Sequence, residues 1–221
     1  FHALAHLRDQ YCLLHAGGAL GRGCGPLVVA RQDLEPGQLV GKKVAIPGKL
    51  TTAALLMRLF DPDIQDLVIL PFDQIMEAAQ QGVVDAGLII HESRFTYPDY
   101  GLHEVIDLGA WWEETTGHPI PLGGILARRD MGREQIERID RSLQASVEYA
   151  FAHPEKVRDY VRAHAQEMDD RVMQAHIDLY VNDYTLDYRR DGEAAIADLL
   201  GRAEAAGIVP VADLPLFVDG D

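Results

Sequence analysis

The chain has 221 residues, 48% of them hydrophobic, enough to bury a full core as one large domain or two smaller lobes. Its 35 acidic against 20 basic residues leave a formal charge of −15, which excludes the basic footprint of a nucleic-acid binder and the basic amphipathic helix of a membrane-surface protein. No apolar run reaches the length of a transmembrane helix, so a small molecule is the expected partner, and an anionic one needs only local donors. Cys12 and Cys24 lack CxxC spacing and are expected as buried free thiols in a reducing, cytoplasmic setting.

Phe1-His2-Ala3-Leu4 reads like the interior of a helix, so further residues are expected upstream. Phe1 to Asp9 fits a helix end, and Gln10 to His15 (QYCLLH) fits a short strand. Gly17 to Gly25 (GGALGRGCG) then runs into Pro26 to Ala30 (PLVVA), a strand opened by proline. A dinucleotide fingerprint would open a helix instead. The glycines are better suited to a loop passing close to a ligand or to another lobe.

Arg31 to Gly41 is a polar connector, followed by the strand Lys42 to Ile46 (KKVAI) and the turn Pro47-Gly48-Lys49. Thr51 and Thr52 precede Ala53 to Leu59, a stretch of high helix propensity. Threonine hydroxyls beside free amides at a helix start make an anion site, and a plain N-cap is the simpler role. Lys42, Lys43 and Lys49 add positive charge nearby, the first two expected in solvent. Leu67 to Leu70 is a strand, Phe72 to Gln81 a helix stopped by Gly82, and Val83 to Ile90 the next strand. The alternation from Lys42 to Ile90 predicts parallel βαβ units with short connections.

That last strand ends abruptly at His91-Glu92-Ser93-Arg94. Side chains at the carboxyl ends of strands in open α/β sheets project into the ligand crevice. His91 titrates near neutral pH and is the candidate general base. Phe95 stands where an HExxH zinc motif needs its second histidine, and Ser93 lacks a nucleophile elbow, so neither a zinc site nor a hydrolase triad is expected. Glu92 either orients His91 or faces water. Arg94 either meets a substrate carboxylate or forms an internal ion pair. Tyr97 and Tyr100, flanking Pro98, are candidates to wall the crevice.

Leu102 to Leu108 reads as a strand, and Gly109 to Gly117 carries the adjacent Trp111 and Trp112, of which only one would face inward in an extended segment. Pro119 to Ala127 is extended and marked by two prolines and two glycines. Helices follow at Arg133–Ala152, Pro154–Gln166, Asp169–Val181 and Gly192–Ala206, with an apolar tail at Leu214–Val218. His164 and His176 sit on separate helices with no third ligand and are expected as surface or core histidines. The segments Pro26–Ala30 and Pro119–Ala127 bracket an α/β unit, which predicts one lobe inserted in another, joined by two crossover strands. A hinged clamp on a small molecule follows.

Gly17 to Gly23 (GGALGRG), Gly25 to Ala30 (GPLVVA), Thr51-Thr52-Ala53, Gly87 to Tyr97 (GLIIHESRFTY) and Asp107 to Glu113 (DLGAWWE) together resemble the 1,4-dihydroxy-6-naphthoate synthase family of the futalosine route to menaquinone. The resemblance extends to the closing Pro215-Leu216-Phe217-Val218. It implies a two-lobed α/β fold like the type II periplasmic solute-binding proteins, with a ligand cleft between lobe 1 (residues 1–30 and 121–221) and lobe 2 (31–120). It implies a carbon–carbon lyase acting on cyclic dehypoxanthine futalosine, a carboxylate, with His91 as proton acceptor and Thr51 and Thr52 contacting substrate. Arg94, Tyr97 and Glu92 are left as supporting residues, and further family contacts are expected upstream of Phe1. No metal and no redox cofactor is demanded, and the oligomeric state is open. The alternatives are a non-catalytic solute-binding receptor of the same fold and the related chorismate dehydratase.

Overall fold

The computed structural model describes residues 1–165 and 169–218. A short helix α1 (His2–Ala5) leads to the strands β1 (Tyr11–Leu13), β2 (Ala19–Gly21) and β3 (Leu27–Ala30). After the polar connector, β4 (Val44–Ile46), α2 (Thr52–Phe60), β5 (Leu67–Ile69), α3 (Ile75–Gln80) and β6 (Ala86–Ile89) alternate as the sequence predicts. The chain then turns through α4 (Ser93–Thr96), β7 (His103–Asp107), α5 (Leu108–Thr116), β8 (Ile120–Gly123) and β9 (Leu126–Arg128). The remainder is helical: α6 (Arg133–Ala152), α7 (Pro154–His164), α8 (Asp170–Tyr180), α9 (Asp183–Leu186) and α10 (Arg189–Ala205). Gln166, the expected end of the second of these helices, lies outside the described residues.

The central sheet has the order β5-β4-β6-β3-β7. Its β5, β4 and β6 pair in parallel, as the βαβ pattern requires, while β3 is antiparallel to both neighbours. The sequence placed Leu27–Ala30 in the outer lobe as a crossover strand, but it lies inside this sheet. All four of its residues are buried, and a strand in the sheet interior satisfies its amides and carbonyls from ladders on both edges. The earlier connecting strand is instead β2, cut from the glycine-rich run, which pairs antiparallel with β8. A third ladder joins β1 to β9. Glycine matters in that run because backbone and side chain come too close for anything larger: a Cβ on Gly18 would fall 2.1 Å from the Tyr188 ring.

The main core gathers Leu55 and Leu56 of α2, Trp112 of α5 and Ile196 and Leu199 of α10. A smaller core lies under α3, where Ile75, Met76 and Ala79 pack on Leu27, Val29 and Ile89. Helical spacing marks Phe72, Ile75, Met76 and Ala79 as core; the last three are buried here, whereas Phe72 is half-buried and packs on His91. Cys12 and Cys24 are free and fully buried, and burial pushes the Cys24 thiol up to about 12.

One local expectation fails. Gly109 to Gly117 is a helix, not an extended segment. Asp107 caps it, Oδ1 accepting from the amides of Gly109 and Ala110 at 2.8 and 3.0 Å, and Gly117 ends it in the left-handed region at φ 74°. Both tryptophans thereby find apolar surroundings. Trp112 is fully buried and its indole donates to the Pro119 carbonyl, while Trp111 meets Phe60 edge-on at 5.5 Å.

The other Asp107 oxygen holds Arg94 at 2.5 Å, and the same guanidinium donates to the Gly25 carbonyl at 3.1 Å. Arg94 is therefore held in an internal ion pair. It ties the entry of β3, the turn after β6 and the start of α5 into one unit behind the strand end. Both side chains are largely sheltered from solvent, at 17% and 16% exposure. Arg94→Met leaves the sheltered Asp107 carboxylate without its countercharge and should cost about 3 kcal/mol of stability, read as a lower midpoint in urea unfolding.

Candidate active site

A cavity of about 580 Å³ opens where the carboxyl end of β6 meets the ladder β2–β8 and the face of α8. Its walls come from Gly17–Ala19 and Gly25–Pro26 of the glycine-rich stretch, Leu50–Ala53 at the start of α2, Ile90 and His91, Leu122 and Gly123, and His176, Tyr180, Val181 and Thr185. The size suits a molecule of a few fused rings with substituents. Most of the lining is apolar, and its polar groups converge from separate elements.

His91 follows β6 directly and takes a left-handed backbone at φ 58°. An L-residue there costs about 1 kcal/mol, and the compensation is the abrupt change of direction into α4 that leaves the imidazole at the cavity. Its ring meets Phe72 edge-on at 5.2 Å. The ring surface opens to solvent through the cavity, yet protein crowds its other sides; desolvation pulls its pKa below 6.5, with Glu92 opposing the effect. His91 is thus neutral at pH 7, the form that accepts a proton.

At the start of α2 both threonines are in place, but their hydroxyls already have partners. Thr51 Oγ1 donates to the Gly48 carbonyl at 2.8 Å and accepts from the Ala54 amide at 3.2 Å. Thr52 is buried, and its Oγ1 donates to the Leu122 carbonyl at 2.7 Å and accepts from the Phe1 nitrogen at 3.0 Å. Helix geometry leaves the Thr52 and Ala53 amides without partners inside α2, so the donors this corner offers a ligand are main-chain N–H groups at the positive end of the helix dipole. Lys42, Lys43 and Lys49 lie outside the lining.

The remaining expected residues separate. Arg94 is held behind the site, as described above. Tyr97 and Tyr100 do not wall the cavity; they pack against the smaller core under α3, where the turn Tyr97–Tyr100 is fastened by Gln80 donating to the Tyr100 carbonyl at 2.9 Å. Glu92 lies half-buried in the turn and reaches His91 only through its charge.

Two lining residues escaped the sequence reading. His176 meets His91 edge-on in the cavity wall, at 6.0 Å between ring centroids, and Tyr180 sits one helical turn further along α8. Burial pushes the Tyr180 phenol up to about 12, so it stays a hydrogen-bond donor at neutral pH. The available signal was their i, i+4 spacing on an amphipathic helix, but only the tertiary fold tells which face meets the cavity. His164, by contrast, is exposed and packs on Tyr160. Among the described residues no three His, Cys, Asp or Glu side chains gather as a metal site.

With this geometry in view, comparisons with known proteins are specific. Residues 1–205 match a protein-family model described as menaquinone biosynthesis. A Thermus thermophilus protein named 1,4-dihydroxy-6-naphtoate synthase is 53% identical over 218 residues, covering 99% of this chain and 79% of that protein. A Streptomyces coelicolor protein of the same name is 50% identical over 215 residues, covering 95% and 76%. The crystal structure of protein AF1704 from Archaeoglobus fulgidus superposes with a TM-score of 0.88 at 40% identity, covering 94% of this chain and 77% of that one. At the level of fold alone, a Candida albicans protein with the generic periplasmic-binding-protein fold superposes at 0.64 with 10% identity, covering 95% and 72%. The chain belongs to the menaquinone-biosynthesis family and, within it, to the 1,4-dihydroxy-6-naphthoate synthases.

Proposed function

We propose that the chain is a cytoplasmic carbon–carbon lyase that converts cyclic dehypoxanthine futalosine to 1,4-dihydroxy-6-naphthoate, with His91 as the proton acceptor. The observation that carries the reading is a neutral imidazole at a strand's carboxyl end, facing a ring-sized cavity, in a chain half identical to named synthases. No described helix is long and apolar enough to cross a membrane.

The chemistry follows from the surroundings. His91 removes a hydroxyl proton from the sugar-derived part of the substrate. The oxygen lone pair becomes a carbonyl, the adjacent carbon–carbon bond breaks, and its electron pair moves into the ring as the ring becomes aromatic. Aromatisation supplies the driving force. The substrate carboxylate is held at the start of α2 by the Thr52 and Ala53 amides, while the two threonine hydroxyls shape that corner through their internal bonds. We also propose that an outer lobe, of residues before Pro26 and after residue 120, closes on an inner lobe containing the central sheet. Closure would exclude water while the carbanion exists.

His91→Ala in the full-length protein should lower kcat about 10³-fold with substrate binding retained within several-fold, as followed by product absorbance and by titration calorimetry. Unchanged turnover would sink the assignment, and tight binding without product from the unaltered protein would favour the receptor alternative. Because the reactive form is neutral and desolvation lowers the pKa, kcat/KM should rise with pH through a midpoint below 6.5 and be flat at neutrality. A midpoint above 6.5 contradicts this. Thr52→Pro fits the first helical position, since Thr51 is extended, and deletes one amide donor; KM should rise about tenfold or more. Thr52→Val, which loses the hydroxyl and keeps the amide, should leave KM nearer the parent; the reverse ranking would place the contact on the hydroxyl.

A further inference from the structure

His176 is built into the cavity wall beside the candidate base. It comes from α8, far along the chain from β6, and its ring stands perpendicular to that of His91, at 89° and 6.0 Å between centroids. Tyr180 braces it from one turn away, at 4.7 Å. Among the described residues neither imidazole makes a hydrogen bond to the protein. A half-buried histidine kept for structure ordinarily commits its N–H to a carbonyl or carboxylate. Here both rings instead line one ring-sized cavity with their nitrogens uncommitted to protein.

The reaction needs a second group. When the carbon–carbon bond breaks, the released electron pair ends on a ring carbonyl oxygen, which must become a phenol. We propose that His176 is a second catalytic residue, its N–H donating a hydrogen bond to that ring oxygen as charge develops there, while His91 takes the proton of the hydroxyl. This inference rests on the lyase reading and on His91 as base. The balance closes without an oxidant or reductant: the O–H proton goes to His91, the C–C pair becomes a ring C=C, and the carbonyl π pair takes up the proton, passed on from His91 directly or through solvent, as the new phenol O–H. The hydroxyl and the carbonyl stand in the β-hydroxy-ketone relation that such a cleavage requires, close enough together for two neighbouring imidazoles on one cavity wall to serve one each.

The electrostatics agree. Desolvation, then the charge of His91, lower the His176 pKa, with Glu92 opposing. The pair therefore holds at most one extra proton near neutrality, and His176 acts through a neutral N–H, an electrophile that needs no positive charge. Tyr180 is the other titratable group beside the pair; Arg94, Asp107 and Cys24 stand behind it.

The test is turnover of cyclic dehypoxanthine futalosine by the full-length protein carrying His176→Ala, His176→Leu or His176→Gln, with thermal unfolding of each. Loss of the donor should lower kcat by about 10²-fold or more, with KM changed less than threefold, and His176→Gln, which keeps an N–H, should exceed His176→Leu at least tenfold in kcat. If His176→Ala does not fold, the Gln and Leu pair decides alone. Equal kcat for Gln and Leu, a loss confined to KM, or full turnover by His176→Ala beside an inactive His91→Ala would each overturn this inference and leave the lyase reading standing. An active His91→Ala would instead overturn the base assignment on which it rests.

Discussion

The site hangs on a single partly buried ion pair. Arg94 reaches back from the turn after β6 to Asp107 and to the carbonyl of Gly25. Asp107 in turn caps α5, so one carboxylate joins the strand-end turn, the entry of β3 and the first turn of a helix. Such a pair contributes little net energy compared with an apolar contact of the same volume, but its loss is expensive because the remaining charge has no water to solvate it. What it supplies is position. Close packing around it leaves even less freedom: a Cβ on Gly109 would stand 1.8 Å from the Cys24 carbonyl oxygen.

With the back of the site immobilised, the front can be strained. His91 sits at φ 58° between a strand and a helical turn, a conformation that stays only where surrounding structure over-determines it. The same packing crowds one side of the imidazole, and that partial desolvation lowers its pKa while the ring stays open to the cavity. Geometry and electrostatics thus have one cause: a polar side chain placed at the end of a fully buried strand, beneath a cavity with mostly apolar walls. The start of α2 completes the arrangement from the other side, with hydroxyls already committed to internal carbonyls and free amides facing the cavity.

How much of this was legible in the sequence varied with the range of the deciding interaction. The parallel β4–β5–β6 alternation and its helices were readable, because apolar runs of strand length and helical spacing are local signals. His91 was readable because an apolar run broke off at a polar cluster. Residues 108–116 were misread as extended although both boundary signals were present, Asp107 as the cap and Gly117 as the terminator; the adjacent tryptophans drew attention from them. The place of β3 was not readable at all, since a four-residue apolar strand does not say which ladders will receive it.

The sequence by itself therefore determined the element types, the strand end that carries the candidate base and, through its motifs, the family. Tertiary structure alone decided partnership. It gave Arg94 to Asp107, turned Tyr97 and Tyr100 toward the smaller core, paired β2 with β8, and brought His176 of α8 against His91. The physical reason is the same throughout. Periodicity and capping act over a few residues, whereas the meeting of two side chains in a cavity wall depends on how whole elements pack, and chain-distant residues leave no local mark of the neighbours they will meet.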